Sequence, residues 1–176
     1  MNFYPYGPFK IPKSNKGLIS TDKDEQKSFW ESIESNEEGL SYGIGCYIFA
    51  IKAAKGALPW YVGIAEKTSF TKECFTAHKI VHYNNAIAAR KGTPLLILIP
   101  KFTNKDRFSK CSSNGHKDIQ FLENILIGIA FRRNPNLMNI KDTKILREMV
   151  VPGIINSRKG SPSKERSELQ RILGIN

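Results

Sequence analysis

Apolar residues recur along the chain in two rhythms, and each change of rhythm marks an element. Residues 1–20, rich in Pro, Gly, Lys and aromatics, keep no period and read as an irregular arm packed down by Phe3, Tyr4, Tyr6 and Phe9. Phe29, Trp30 and Ile33 then lie on one face of a helix. Thr21 is placed to cap it, and Asp22, Asp24 and Glu25 suit its positive end. Residues 44–52 and 58–64 read as two strands joined by a hairpin loop at 53–57. From Phe70 the steps lengthen to four, three and four through Cys74, Ala77 and Val81, one stripe on a continuous helix that frays before Gly92. Leu95–Ile99, apolar on both faces, predicts a strand covered on both sides. The polar stretch 103–116 reads as an exposed loop. Lys117–Arg133 is apolar nearly all round and is expected to be a helix at the centre of the fold, stopped by Asn134-Pro135. A short helix over 143–150, a Pro152-Gly153 turn and a last helix capped by Ser163, with the stripe Leu169, Ile172 and Leu173, complete the chain.

Composition narrows the class. With 176 residues, 40% of them hydrophobic, the chain is long enough for one domain with its own core. Its longest apolar runs are too short to span a bilayer, and the N-terminus lacks the pattern of a signal peptide, so a cytoplasmic protein without a membrane partner is expected. Cys46, Cys74 and Cys111 form no CxxC pair, which argues against a zinc ribbon or a disulfide framework. The net charge of +11 draws polyanions, nucleic acid first among them, although a soluble basic protein needs no such partner. Residues 132–176 carry ten Lys/Arg against four Asp/Glu, and Arg132, Arg133, Arg158, Lys159, Lys164 and Arg166 read equally as phosphate contacts or as a solvated basic face. No Walker loop, GxSxG elbow or GxGxxG turn is present.

The two strands carry the most specific signal. Gly45-Cys46-Tyr47 and Trp60-Tyr61-Val62-Gly63 each set a tyrosine close to a glycine at a strand end. A helix with His78 and Lys79 follows, then Phe121-Leu122-Glu123 in an apolar helix, then Asn134-Pro135-Asn136-Leu137-Met138-Asn139. This order of parts over about 44–140 resembles the GIY-YIG nuclease family. The resemblance implies that Tyr47 and Tyr61 face a scissile phosphate, one accepting a proton from water and the other contacting the phosphate. It implies that Glu123 holds Mg²⁺ or Mn²⁺ and that Asn139 helps hold the site by hydrogen bonds. A carboxylate inside so apolar a helix is costly without such a partner. The family has an arginine on its first helix with a His or Tyr one turn later. Anchoring that pattern on His78 puts Cys74 at the arginine's place, leaving Lys72 and Lys79 as the available cations. His78 and His82, at i and i+4, have the spacing of a two-imidazole metal site, but Lys79 stands where an HExxH frame needs glutamate, and His82 reads as a polar helix face; Tyr83 and Lys79 share this neighbourhood and are expected to line the same groove.

The expected fold is therefore α/β of the α+β type, a small, mainly antiparallel three-stranded sheet flanked by helices. An N-terminal arm and helix over 1–40 and a basic helical extension over 141–176 would pack on a GIY-YIG-like domain at 41–140. The expected function is that of a divalent-metal-dependent endonuclease on nucleic acid, DNA favoured over RNA. Tyr47, Tyr61, His78, Lys79 and Glu123 would form the catalytic set, with Lys72, Arg132, Arg133 and Asn139 toward the nucleic acid. The alternative is a nucleic-acid-binding module that kept the fold and lost the chemistry, and a third reading is a protein-interaction domain.

Overall fold

The computed structural model describes residues 1–156 and 163–175. Backbone contacts divide it into two units, Met1–Asn139 and Ile140–Asn176.

The first unit is built on a curled antiparallel sheet. Strands β1 (Asn2–Phe3), β2 (Tyr6–Lys10), β3 (Gly45–Ala53), β4 (Gly56–Ala65) and β5 (Thr93–Phe102) run in the order β1-β5-β3-β4, with β2 also on β5. The sheet has five strands where three were expected. The two extra strands come from the arm: β1 pairs with Lys101–Phe102 and β2 with Leu95–Leu98, consecutive stretches of one edge. Pro5, Gly7 and Pro8 hide the alternation of this segment, and proline is tolerated there because an edge strand leaves some N–H groups unpaired. β3, central and almost wholly buried, makes the hairpin with β4 through Ala54–Lys55 and pairs with β5 on its other side.

The two faces of the sheet carry different cores. Tyr47, Phe49, Ile51, Leu96 and Leu98 share one cluster with Phe29, Trp30 and Ile33 of helix α1 (Lys23–Asn36), Phe70 of α2 (Phe70–Glu73), and Tyr83 and Ala86 of α3 (Ala77–Ala89). Cys46 points the other way from Tyr47, as successive strand residues must. With Ile44 it meets Ile119, Leu122 and Leu126 of α4 (Lys117–Arg133).

Local departures from the expected elements have local causes. Asp22, not Thr21, caps α1, its carboxylate accepting from the N–H groups of Asp24 and Glu25 at 3.0 Å. The helix expected from Phe70 onward is broken at Cys74–Thr76, which lets Phe75 turn its ring onto Phe29 and Trp30 (centroids 5.4 and 5.6 Å). The break resets the helical phase, so Val81 is 56% exposed and Tyr83 and Ala86 take the buried face. α4 has its expected limits but lies on the sheet rather than at the centre, with Phe121 and Ile129 more than 60% exposed. The loop before it is tethered by Glu66, whose carboxylate accepts from the His116 N–H at 2.7 Å and the Gln120 amide at 3.0 Å.

The second unit holds α5 (Ile140–Glu148) and α6 (Lys164–Ile172). The Asn156 amide donates to the Leu146, Arg147 and Met149 carbonyls, satisfying the end of α5. Ser163 caps α6 by accepting from the Arg166 N–H at 3.2 Å, and Gln170 donates to Gly153 O at 3.0 Å. Of the expected α6 stripe, Leu169 is half-buried while Ile172 and Leu173 are exposed.

Candidate active site

β3 and β4 place the two strand tyrosines on one face. Tyr47 stands opposite Gly63 and Phe49 opposite Tyr61, with a register shift just beyond, where Trp60 is the extra residue. The glycine is required by its neighbour. A Cβ on Gly63 would lie 2.5 Å from both Cζ and Oη of Tyr47, so the phenol occupies the space a side chain would take. The Tyr47 and Tyr61 ring centroids are 6.3 Å apart.

α3 completes the cluster. Lys79 Nζ donates to Tyr61 Oη at 2.6 Å, lies 4.9 Å from the centre of the same ring, and is 3.7 Å from Glu73 Oε1. Tyr83 is fully buried, stacked on Phe49 at 4.1 Å and edge-on to Tyr61 at 6.1 Å. The Tyr47 and Tyr83 hydroxyls neighbour one another, yet among the described residues neither has a hydrogen-bond partner of good geometry. Burial above all, then Tyr83, Cys74, Tyr61 and Glu73, pushes the Tyr47 phenol well above its ordinary range, and burial does the same to Tyr83. Both phenols therefore stay protonated at neutral pH. The His82 ring stacks on Tyr61 at 5.3 Å, and its Nε2 is 3.1 Å from Nε2 of exposed His78. Burial, then the charges of His78 and Lys79, holds the His82 pKa below its ordinary value.

The structure thus brings Tyr47, Tyr61, His78 and Lys79 together. Tyr83, read from the sequence as lining the same groove as Lys79, joins them, with His82 and with Glu73, which was not singled out in the sequence. Tyr83 lies one turn after Lys79, a cation-then-aromatic spacing hidden by the assumption of one unbroken helix from Phe70. Glu73 carried no motif at all.

The remaining candidates stand elsewhere. Glu123 is half-buried on α4, between the buried Ile119 and Ile127 on the same stripe. With burial as the main cause, its charge and that of Asp118 help push the Cys46 thiol up to about 12. Asn139, 5% exposed, accepts from Val62 N–H at 2.9 Å and donates to Val62 O at 2.7 Å. Its amide covers the outer edge of β4 between Tyr61 and Gly63, helped by Asn134 to Pro59 O and Met138 N–H to Trp60 O, both 2.8 Å. It holds the strand from inside the protein. Lys72, Arg132 and Arg133 are exposed, the arginines in the last turn of α4, where they also suit the negative helix end. Lys164 is exposed and Arg166 half-buried on α6, while Arg158 and Lys159 fall outside the described residues.

The cysteines divide cleanly. Cys46 and Cys74 are buried, with thiols pushed up chiefly by burial, and Cys111 is exposed. A native chain treated with a thiol reagent near pH 8 is expected to react at Cys111 alone, and the other two only after unfolding. Mass spectrometry of the labelled peptides checks this, and native labelling of Cys46 or Cys74 would contradict the packing described.

Among the described residues no group of three or more His, Cys, Asp or Glu is assembled to hold a metal, and no helix is long and apolar enough to cross a membrane. No protein-family model, curated protein or solved structure matches the chain.

Proposed function

We propose that this chain is an endonuclease-like protein of the GIY-YIG type, acting on phosphodiesters of nucleic acid, DNA in preference to RNA. The observation that carries the proposal is the 2.6 Å contact between the Lys79 ammonium and the Tyr61 phenol oxygen beside the Tyr47–Gly63 pair. It joins a cation and a hydroxyl at the place where the resemblance calls for a phosphate clamp. Lys79 with Tyr83 one turn later also fits the family's first-helix pattern better than Cys74 with His78.

The residues divide the work by their surroundings. Tyr47 keeps its proton and is wholly buried, so it shapes the site and leaves contact with the phosphate to Tyr61. Tyr61 accepts from Lys79, which sets its hydroxyl beside the cation of the site. Lys79 supplies the positive charge that offsets what builds up on phosphate oxygens as the attacking water bonds to phosphorus and the leaving oxygen departs. A neutral imidazole of the His78–His82 pair is the available acceptor for the water's proton. Glu123 offers one carboxylate, a donor set that fits Mg²⁺ or Mn²⁺ completing its shell with water. α4 packs on the face of the sheet opposite Tyr47, Tyr61 and Lys79, so an ion held there would be separate from the phosphate clamp. Arg132, Arg133 and Lys72 would add sequence-independent phosphate attraction.

A specific observation favours a second reading, the binding module without chemistry: the site cation is a lysine, which lacks the planar fork that clamps a phosphate with two bonds. The two readings separate in one experiment. DNA and RNA substrates are incubated with Mg²⁺ or Mn²⁺ and wild type or Lys79→Ala, with binding titrated in parallel at rising salt. The proposal expects cleavage by wild type and its loss in the variant. Salt-sensitive binding without cleavage would replace it with the binding module, and neither activity would remove nucleic acid from the account.

A further inference from the structure

We propose that His78 and His82 form an open two-imidazole site for a borderline transition-metal ion such as Zn²⁺ or Ni²⁺, separate from any Mg²⁺ held at Glu123.

The inference rests on the geometry of the pair and holds whether or not the protein cleaves nucleic acid. His78 and His82 lie one turn apart on α3, and their Nε2 atoms converge to 3.1 Å, the rings meeting at 82°. Two Zn–N bonds of ordinary length at a tetrahedral angle would hold their nitrogens roughly 3.3–3.4 Å apart. Opening the present contact by a few tenths of an ångström therefore admits an ion. The two rings are prepared unequally for this. His82 is locked by stacking on Tyr61 (5.3 Å, 17°), while His78 is exposed and able to adjust. Both must be neutral to bind, and while they hold an ion neither can accept the proton of an attacking water.

The surroundings set the character of the site. Lys79 is the cation beside the pair and opposes a second one, but its charge is shared with Tyr61 Oη at 2.6 Å and Glu73 at 3.7 Å. Among the described residues no third His, Cys, Asp or Glu completes a ligand set. Two or more coordination positions are then left to water or to an oxygen of a bound phosphate. That is the design of an exchangeable site at the rim of the tyrosine cluster, not of a structural zinc, which is closed by four protein ligands. Imidazole nitrogen selects Zn²⁺, Ni²⁺ and Cu²⁺ and is poor for Mg²⁺.

The test titrates the full chain with Zn²⁺ and with Ni²⁺ by calorimetry, with Mg²⁺ for comparison, in a Cys111→Ser background that removes the exposed thiol. The same titration is run on His78→Ala, an exposed position whose loss spares the core. One equivalent of Zn²⁺ and of Ni²⁺ is expected, weakened about tenfold or more in His78→Ala, with no comparable heat from Mg²⁺. In NMR spectra the imidazole signals of His78 and His82 should shift together while those of His116, the third histidine, stay in place. Equal affinity in the two proteins, no binding by the unsubstituted pair, or a shift at His116 alone would overturn the proposal.

Discussion

Gly63→Ala is expected to be among the most destabilising single methyl additions in the chain. The new Cβ would lie 2.5 Å from Tyr47 Cζ and Oη and 2.9 Å from Cε2, inside any tolerable contact. Relief requires the Tyr47 ring to move, and it is fully buried with Tyr61 and Tyr83 beside it. The methyl meets the stiff end of an aromatic ring, so no rotation of a flexible tail relieves it. Overpacking of this kind costs about 3 kcal/mol, and for a domain of this size that lowers the melting temperature by roughly 6–12 °C. Gly128→Ala is the control. Its Cβ meets nothing within 4 Å on a helix, where alanine is favoured by up to about 1 kcal/mol. A Gly63→Ala protein melting with the wild type would mean that Tyr47 does not lie over Gly63.

The second large effect is on chemistry. Lys79→Ala removes the ammonium that contacts the Tyr61 hydroxyl and ring. Removing a single preorganised donor that serves the transition state costs on the order of 10²–10³ in rate. Stability should suffer far less, because the lost hydrogen bond is one contact at a partly exposed side chain, worth about 1 kcal/mol. The separation of the two effects is the signature: a large loss of rate in a protein that still folds.

Much of this was legible in the sequence, and the parts that were not share a cause. The hairpin, the limits of α4 and the Ser163 cap follow from patterns confined to a few neighbouring residues. So does the pairing of a strand tyrosine with a strand glycine, although only the structure shows that Gly63 is small because Tyr47 lies on it. What was hidden depends on tertiary contacts. The arm becomes strand because β5 offers it an unpaired edge, not because residues 2–10 alternate. Phe75 breaks a helix that the spacing of Phe70, Cys74, Ala77 and Val81 would continue, because its ring has a better place against α1. That break moved the helical phase, and it hid that Lys79 with Tyr83, rather than Cys74 with His78, are the cation and the aromatic one turn apart beside the tyrosines. The partner of Asn139, the backbone of Val62, lies seventy-seven positions away, beyond any local pattern. Glu73 had no pattern to announce it, since a lone carboxylate at the end of a four-residue helix acquires meaning only from the lysine it meets.

The central claim is that the Tyr61–Lys79 pair handles a phosphodiester, and single-turnover cleavage tests it most directly. Wild type and Lys79→Ala are compared on the same DNA and RNA substrates with Mn²⁺, each first shown to be folded by its melting curve. The account predicts cleavage by the wild type and a loss of about a hundredfold or more in the variant, with melting temperatures a few degrees apart. Equal rates in the two folded proteins, or no cleavage of any substrate by folded wild type, would contradict it.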